Sequence, residues 1–114
     1  MVEIFVKDII ASETAVAPIK GDILNKVIAE KLYSNETIEV NFEGIEDLTT
    51  AFLNKAIGNL YNSFSKDKIE KNIIAKNLDE VDMFLWDKVK ERANVKFSKG
   101  TETGDDVRRL LGDD

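Results

Sequence analysis

The chain of 114 residues contains no cysteine and no histidine. Without cysteine there is no disulfide framework, so nothing in the sequence points to secretion. Without either residue the chain holds no thiol nucleophile, no Ser-His-Asp triad and no phosphohistidine relay. A structural zinc site lacks both of its usual ligand types, and no cofactor or metal is expected. Positive charge is also scarce, with 16 Lys and Arg against 22 Asp and Glu and a formal net charge of -6. Nucleic acid and anionic membrane surfaces attract dense clusters of Lys and Arg, so neither is the expected partner. No apolar run approaches the ~20 residues of a membrane-spanning helix. Met1-Val2-Glu3 leads straight into a strand-like pattern instead of a signal peptide, and a bacterial-type cytoplasmic setting is expected. Proline occurs once, at Pro18, and Gly44 and Gly58 stand alone instead of forming a phosphate-binding loop.

What is present suits one globular domain. The hydrophobic fraction of 43% is enough for one core. Val2, Ile4 and Val6 alternate with Glu3, Phe5 and Lys7, which predicts a strand over residues 2–10, bent near Asp8. Residues 11–20 read as a loop with a short second strand around Ala15-Val16-Ala17. From residue 21 to 33 the period lengthens: Ile23, Leu24, Val27, Ile28 and Leu32 make an amphipathic helix with Asp22 in its first turn. Ile38, Val40 and Phe42 alternate with Glu39, Asn41 and Glu43. This predicts a strand with one buried face and one polar face, since a strand buried on both faces would be apolar throughout.

Residues 44–48 form a turn, and Thr49 or Thr50 then caps a helix to about Phe64. Its predicted buried stripe is Phe52, Leu53, Ala56, Ile57, Leu60, Tyr61 and Phe64, and Gly58 inside it suggests close packing on a neighbour. Residues 72–78 give a further strand. Asp79 opens a helix through about Ala93 with Val81, Phe84, Leu85, Val89 and Ala93 as its apolar side and Trp86 near the edge. Residues 96–114 are polar. Thr103 with Asp106 resembles a capping box before Val107, Leu110 and Leu111, so the tail has room for one short helix.

The run Ile38-Glu39-Val40-Asn41-Phe42-Glu43-Gly44-Ile45, followed by Leu48-Thr49-Thr50-Ala51-Phe52-Leu53 and Gly58-Asn59-Leu60, resembles the central motif of the bacterial STAS-like family of unknown function. Ile74-Ala75-Lys76-Asn77-Leu78 resembles its closing strand. The resemblance runs from about Val2 to Ala93 and is more distantly similar to STAS domains that act as anti-sigma-factor antagonists. It implies an α/β fold: a STAS-like, about four-stranded mixed sheet with helices mainly on one face, in a domain of residues 1–95 followed by a tail of residues 96–114. It also implies a non-catalytic regulatory module that binds a protein, a histidine-kinase-like ATPase or an anti-sigma-like protein being the natural class. In STAS domains with the motif Asp-Ser-Ser-Gly a Ser at the start of the equivalent helix is phosphorylated. Thr50 falls at that position here, with Thr49 and Phe52 where the motif has Asp and Gly.

Thr50, and Thr49 beside it, are therefore the candidate phosphoacceptors. A helix N-terminus favours a phosphate, but Glu43, Glu46 and Asp47 oppose one, and a plain N-cap is the competing reading. The expected partner-binding residues are Gly44, Glu46, Asp47, Thr49, Thr50 and Phe52, with Trp86 on the last helix and Val107, Leu110 and Leu111 in the tail. For Phe84 a core role is expected. Carboxylate groups such as Asp79-Glu80-Asp82 read as helix first turns. A homo-oligomer remains open. The rival to a regulatory module is an assembly subunit of a phage- or mobile-element-related system, and an enzyme ranks third.

Overall fold

A computed structural model of the chain describes residues 1–102, with side chains placed through Val95. In order, the elements are β1 (Val2–Phe5), α1 (Val6–Ile10), β2 (Thr14–Ala15), α2 (Pro18–Tyr33), β3 (Ile38–Asn41) and β4 (Asp47–Leu48). After them come α3 (Thr50–Ala56), a 3-10 turn (Gly58–Asn62), α4 (Lys66–Asn72), β5 (Ile73–Lys76) and α5 (Glu80–Glu102).

β1, β3 and β5 form a parallel three-stranded sheet in that spatial order, and β2 pairs with β4 in a separate parallel pair. The expectation of one mixed sheet of about four strands is corrected on both counts. Each of the three main strands is joined to the next through helices, which is how parallel neighbours are connected. The order runs one way across the sheet. Since parallel crossovers are right-handed in nearly every case, successive connections fall on the same face.

The register shows which face. Val2, Ile38 and Ile73 lie side by side, as do Ile4, Val40 and Ala75. These rows face the helices, and Ile38 and Val40 are fully buried. The alternate rows are Glu3, Glu39 and Ile74, then Phe5, Asn41 and Lys76. No helix covers this second face among the described residues; Lys76 Nζ lies 3.5 Å from Glu3 and 3.6 Å from Glu39 across it.

Several boundaries move. The first strand ends at Phe5, and Val6 and Ile10 turn inward one helical turn apart on α1. Ile9-Ile10 had already broken the alternation, and Ala11, at φ 54°, closes the helix in the left-handed region. α2 begins at Pro18, three residues earlier than expected, because proline at the first helical position forfeits no hydrogen bond. Asp22 therefore lies beyond the first turn, and Ile23, counted in the buried stripe, is exposed.

The helix expected from Thr49 or Thr50 to Phe64 is broken at Ile57, and Gly58 opens the 3-10 turn that follows. α4 was not anticipated. Ser65 caps it by accepting from Lys68 N at 3.1 Å, but Ile69 is its one fully buried residue, too little to show a period.

α5 also differs from expectation. Asp79 Oδ1 accepts from Asp82 N at 2.8 Å and caps the helix. The inward side is Trp86 and Val89, both buried, while Val81 and Phe84 point out. Trp86 meets Phe42 edge-on at 5.9 Å between ring centroids. The core role expected for Phe84 belongs to Trp86, two positions on. α5 continues to Glu102, past the change of composition at residue 96.

Candidate functional site

The segment singled out by sequence begins where β3 ends. Ile45 N donates to Phe42 O at 3.0 Å, closing a turn whose third residue, Gly44, has φ 84°. That region favours glycine. A Cβ on Gly44 would lie 2.9 Å from Lys7 Cδ, on a flexible side chain able to turn aside, so it is the backbone conformation that asks for glycine.

Asn41 holds the start of this turn. It is almost completely buried, yet each end of its carboxamide is paired. Its Oδ1 accepts from Glu43 N at 2.9 Å and from Asn77 Nδ2 at 2.8 Å, and its Nδ2 donates to Glu3 Oε2 at 3.0 Å. A buried amide satisfied in this way fixes its neighbours. Asn41 is the polar residue of this region that sequence reasoning overlooked. Alternation placed it on the open face, and its burial comes from Glu3 and Asn77, which are distant in sequence.

The chain then enters the β2–β4 pair. Thr14 stands beside Asp47 and Ala15 beside Leu48, and Glu46 N donates to Glu13 O at 2.7 Å. Each two-residue strand leads into a helix: β2 through Val16 and Ala17 into α2, and β4 through Thr49 into α3.

The Thr49 hydroxyl joins the two entrances. Its Oγ1 accepts from Phe52 N at 3.2 Å and donates to Val16 O at 3.0 Å. Thr49 is the N-cap of α3, and both functions of its hydroxyl are committed. Thr50, at the first helical position, is half-buried and its hydroxyl makes no hydrogen bond with the described residues.

Behind these entrances the two helices touch. A Cβ on Gly21 would fall 2.5 Å from Phe52 O and 2.9 Å from Lys55 Cβ, and Asn25 Nδ2 donates to Ala56 O at 3.1 Å. Gly21 is therefore the glycine that close packing demands. Around Gly58 the nearest atom, Val89 Cγ1, is at an ordinary 3.5 Å. The result is a surface at two helix starts, side by side, with Val16 exposed next to Thr49, and with Ile19, 69% exposed, and Ile23 on the flank of α2 turned away from Gly21 and α3. Glu13, Asp22, Glu46 and Asp47 are exposed around it.

Of the residues predicted for partner binding, Gly44, Glu46, Asp47, Thr49 and Thr50 lie on this one stretch. Phe52 and Trp86 do not belong to the surface: Phe52 is fully buried under α2 and α3, and Trp86 is buried against Phe42. Val107, Leu110 and Leu111 lie outside the described residues. Val16, Ile19 and Ile23 were missed, because Ile23 fits the core period of α2 and Ile19 stands before the expected start of the helix.

A second polar cluster joins α4 to α5. The Tyr61 hydroxyl donates to Glu70 Oε2 at 3.3 Å and Lys90 Nζ to Glu70 Oε1 at 3.1 Å, at the side of an open groove that also takes in Lys66, Asp87, Glu91, Asn94 and Val95. Burial, reinforced by Glu70, pushes the Tyr61 phenol well above its ordinary pKa. A shallow groove on α5 is lined by Leu78, Met83 and Phe84 with Asp79, Glu80 and Asp87. Next to it, burial and then Asp79 raise the carboxyl of Asp82. Among the described residues no three His, Cys, Asp or Glu side chains gather to hold a metal ion. No helix there is long and apolar enough to cross a membrane.

The family model of the STAS-like domain of unknown function (DUF4325) matches residues 21–83. The chain belongs to this family. The match runs from Gly21 in α2 to Met83 in α5, a shorter span than the resemblance read from the sequence. It takes in Asn41, the Gly44 turn and both threonines. β1 and β2 fall before it and complete the STAS-like domain by pairing with β3 and β4. No curated protein and no solved structure matches the chain.

Proposed function

We propose that this STAS-like domain is a regulatory, non-catalytic module that docks another protein on the paired starts of α2 and α3. The observation that carries the reading is the exposure of Val16, Ile19 and Ile23 along the start of α2, a helix packed against α3 at Gly21 and tied to the Thr49 entrance through Val16 O. Apolar side chains ringed by polar ones on an ordered surface suit protein recognition. The acidic rim favours a partner with basic residues around its own apolar contact. By family resemblance, a histidine-kinase-like ATPase or an anti-sigma-like protein has that role.

Of the two threonines, Thr50 is the better phosphoacceptor. The Thr49 hydroxyl is spent on Phe52 N and Val16 O, and freeing it would uncap α3. A phosphate on Thr50 would stand on the docking surface close in sequence to Glu46 and Asp47, adding repulsion where a partner seats.

The test is recovery of the tagged full chain from its own cell, next to an Ile19→Glu/Ile23→Glu variant with the same circular dichroism spectrum. A stoichiometric ATPase-like or anti-sigma-like protein held by the first and lost from the second is the expected outcome. The unbound form should carry one phosphate at Thr50. The same companions on both chains would refute docking at this surface, and structural proteins as the sole companions would favour the assembly role.

A further inference from the structure

α5 has 23 residues, about 35 Å at 1.5 Å per residue. Trp86 and Val89 define its inward side, against Phe42 and Gly58. On the opposite side Val81, Phe84, Lys88, Glu91 and Val95 follow at spacings of three, four, three and four residues. That spacing is the seam a helix presents to another helix. Val81 and Phe84 are 68% and 59% exposed, and Val95 is close to half exposed. Nothing in the rest of the described chain covers this stripe.

Charge selects the occupant. The cap and first two turns of α5 carry Asp79, Glu80, Asp82 and Asp87; the turn that follows carries Lys88, Lys90 and Arg92, with Glu91 among them. A second copy laid parallel sets acid on acid. Turned end for end, it sets acid on base. In the antiparallel register that places Phe84 against Val95 of the second copy, Asp87 comes level with Arg92 and Lys88 with Glu91, and each pair occurs twice by symmetry. Within one chain Lys88 Nζ is 3.5 Å from Glu91 Oε1 and 5.5 Å from the centre of the Phe84 ring. Two copies so arranged close a ring of two lysines and two glutamates beside the two phenylalanines.

We propose that the outward stripe of α5 is the interface of an antiparallel, two-fold homodimer, with Phe84 and Val95 as its apolar contact and Lys88 and Glu91 setting its register. A two-fold interface must be complementary to itself, and this stripe is. The proposal uses no residue of the α2–α3 docking surface and stands whether or not that surface binds a partner.

The test is sedimentation of the full chain over a concentration series. The mass should rise from the 12.8 kDa of one chain towards twice that value. Lys88→Glu and Glu91→Lys each bring like charges together across the axis, and each should weaken the dimer about tenfold or more. Circular dichroism should stay that of the unmodified chain, and so should melting at concentrations low enough for all chains to be monomers, because both side chains are at the surface. Mixed one to one, the two variants should recover the dimer as a heterodimer: one copy then presents two acids at these positions and the other two bases. A single monomeric species up to about 1 mM, single variants that associate like the unmodified chain, or a mixture that stays monomeric would each overturn the proposal.

Discussion

The two faces of the central sheet are built from the same three strands and held by different physics. On the helix side Ile38 and Val40 are fully buried and belong to a core that includes Leu24, Ile28, Phe52, Leu53 and Trp86. On the open side Glu3 and Glu39 are paired with Lys76 across the sheet in reach of water, and Asn41 alone is buried. The first face is secured by apolar area removed from water. The second depends on whether each polar group has a partner, so its sensitivity should be concentrated at Asn41 instead of spread over the face.

Phe52→Ala tests the covered face and has the largest expected effect. It opens a cavity beneath α2 and α3 and should cost about 3–5 kcal/mol, read from denaturant unfolding. Gly21→Ala comes next. Its methyl group meets a backbone carbonyl at 2.5 Å, not a side chain able to turn aside. A loss of about 2–3 kcal/mol is expected, with the α2–α3 surface disturbed in hydrogen exchange.

On the open face Asn41→Ala should cost about 1–2 kcal/mol, because Glu43 N–H and the Asn77 amide lose their acceptor. Lys76→Gln on the same face should leave the melting temperature unchanged, since the ion pairs it breaks are exposed. Equal effects of Asn41→Ala and Lys76→Gln would contradict the distinction drawn between buried and exposed polar groups.

The smallest effect belongs to pH. The Asp82 carboxyl has a folded pKa above its ordinary 3.8, from burial and then from Asp79. The folded chain therefore binds this proton more tightly than the unfolded chain. The cost of the charge is fully present above the folded pKa and disappears as pH falls through it and below 3.8. Asp82→Asn should melt slightly higher than the unmodified chain near neutrality. The difference should shrink on acidification, as followed by thermal melts across a pH series.

Legibility followed the range of the interactions. β3 was readable because Ile38, Val40 and Phe42 alternate within six residues. A cap at Thr49 or Thr50 was readable because a capping threonine acts within three residues; the structure assigns it to Thr49, which accepts from Phe52 N. α4 was not, because one buried isoleucine in seven residues shows no period. Trp86 and Phe84 were exchanged because both fit an apolar stripe on α5, and the choice between them rests on where Phe42 stands. Glu46, Asp47 and both threonines were placed together because they are neighbours in the chain, whereas Val16 joins them only through the β2–β4 pair, and the exposure of Ile19 and Ile23 follows from which side of α2 packs on α3.

The sequence by itself determined the class of the protein: an α/β fold with a STAS-like motif, without thiol or imidazole chemistry, and with a helix capped at one of two adjacent threonines. Composition and short-range periodicity are sufficient for the elements and the exclusions, and the resemblance of the ordered motif around residues 38–61 supplies the family. Tertiary structure decided that the main sheet is parallel and three-stranded, that Gly21 is the tight contact, that Asn41 is buried and that Phe84 faces outward. Each of these depends on groups from β1, α2, α3 or α5 meeting across long stretches of chain, where no local pattern carries the information.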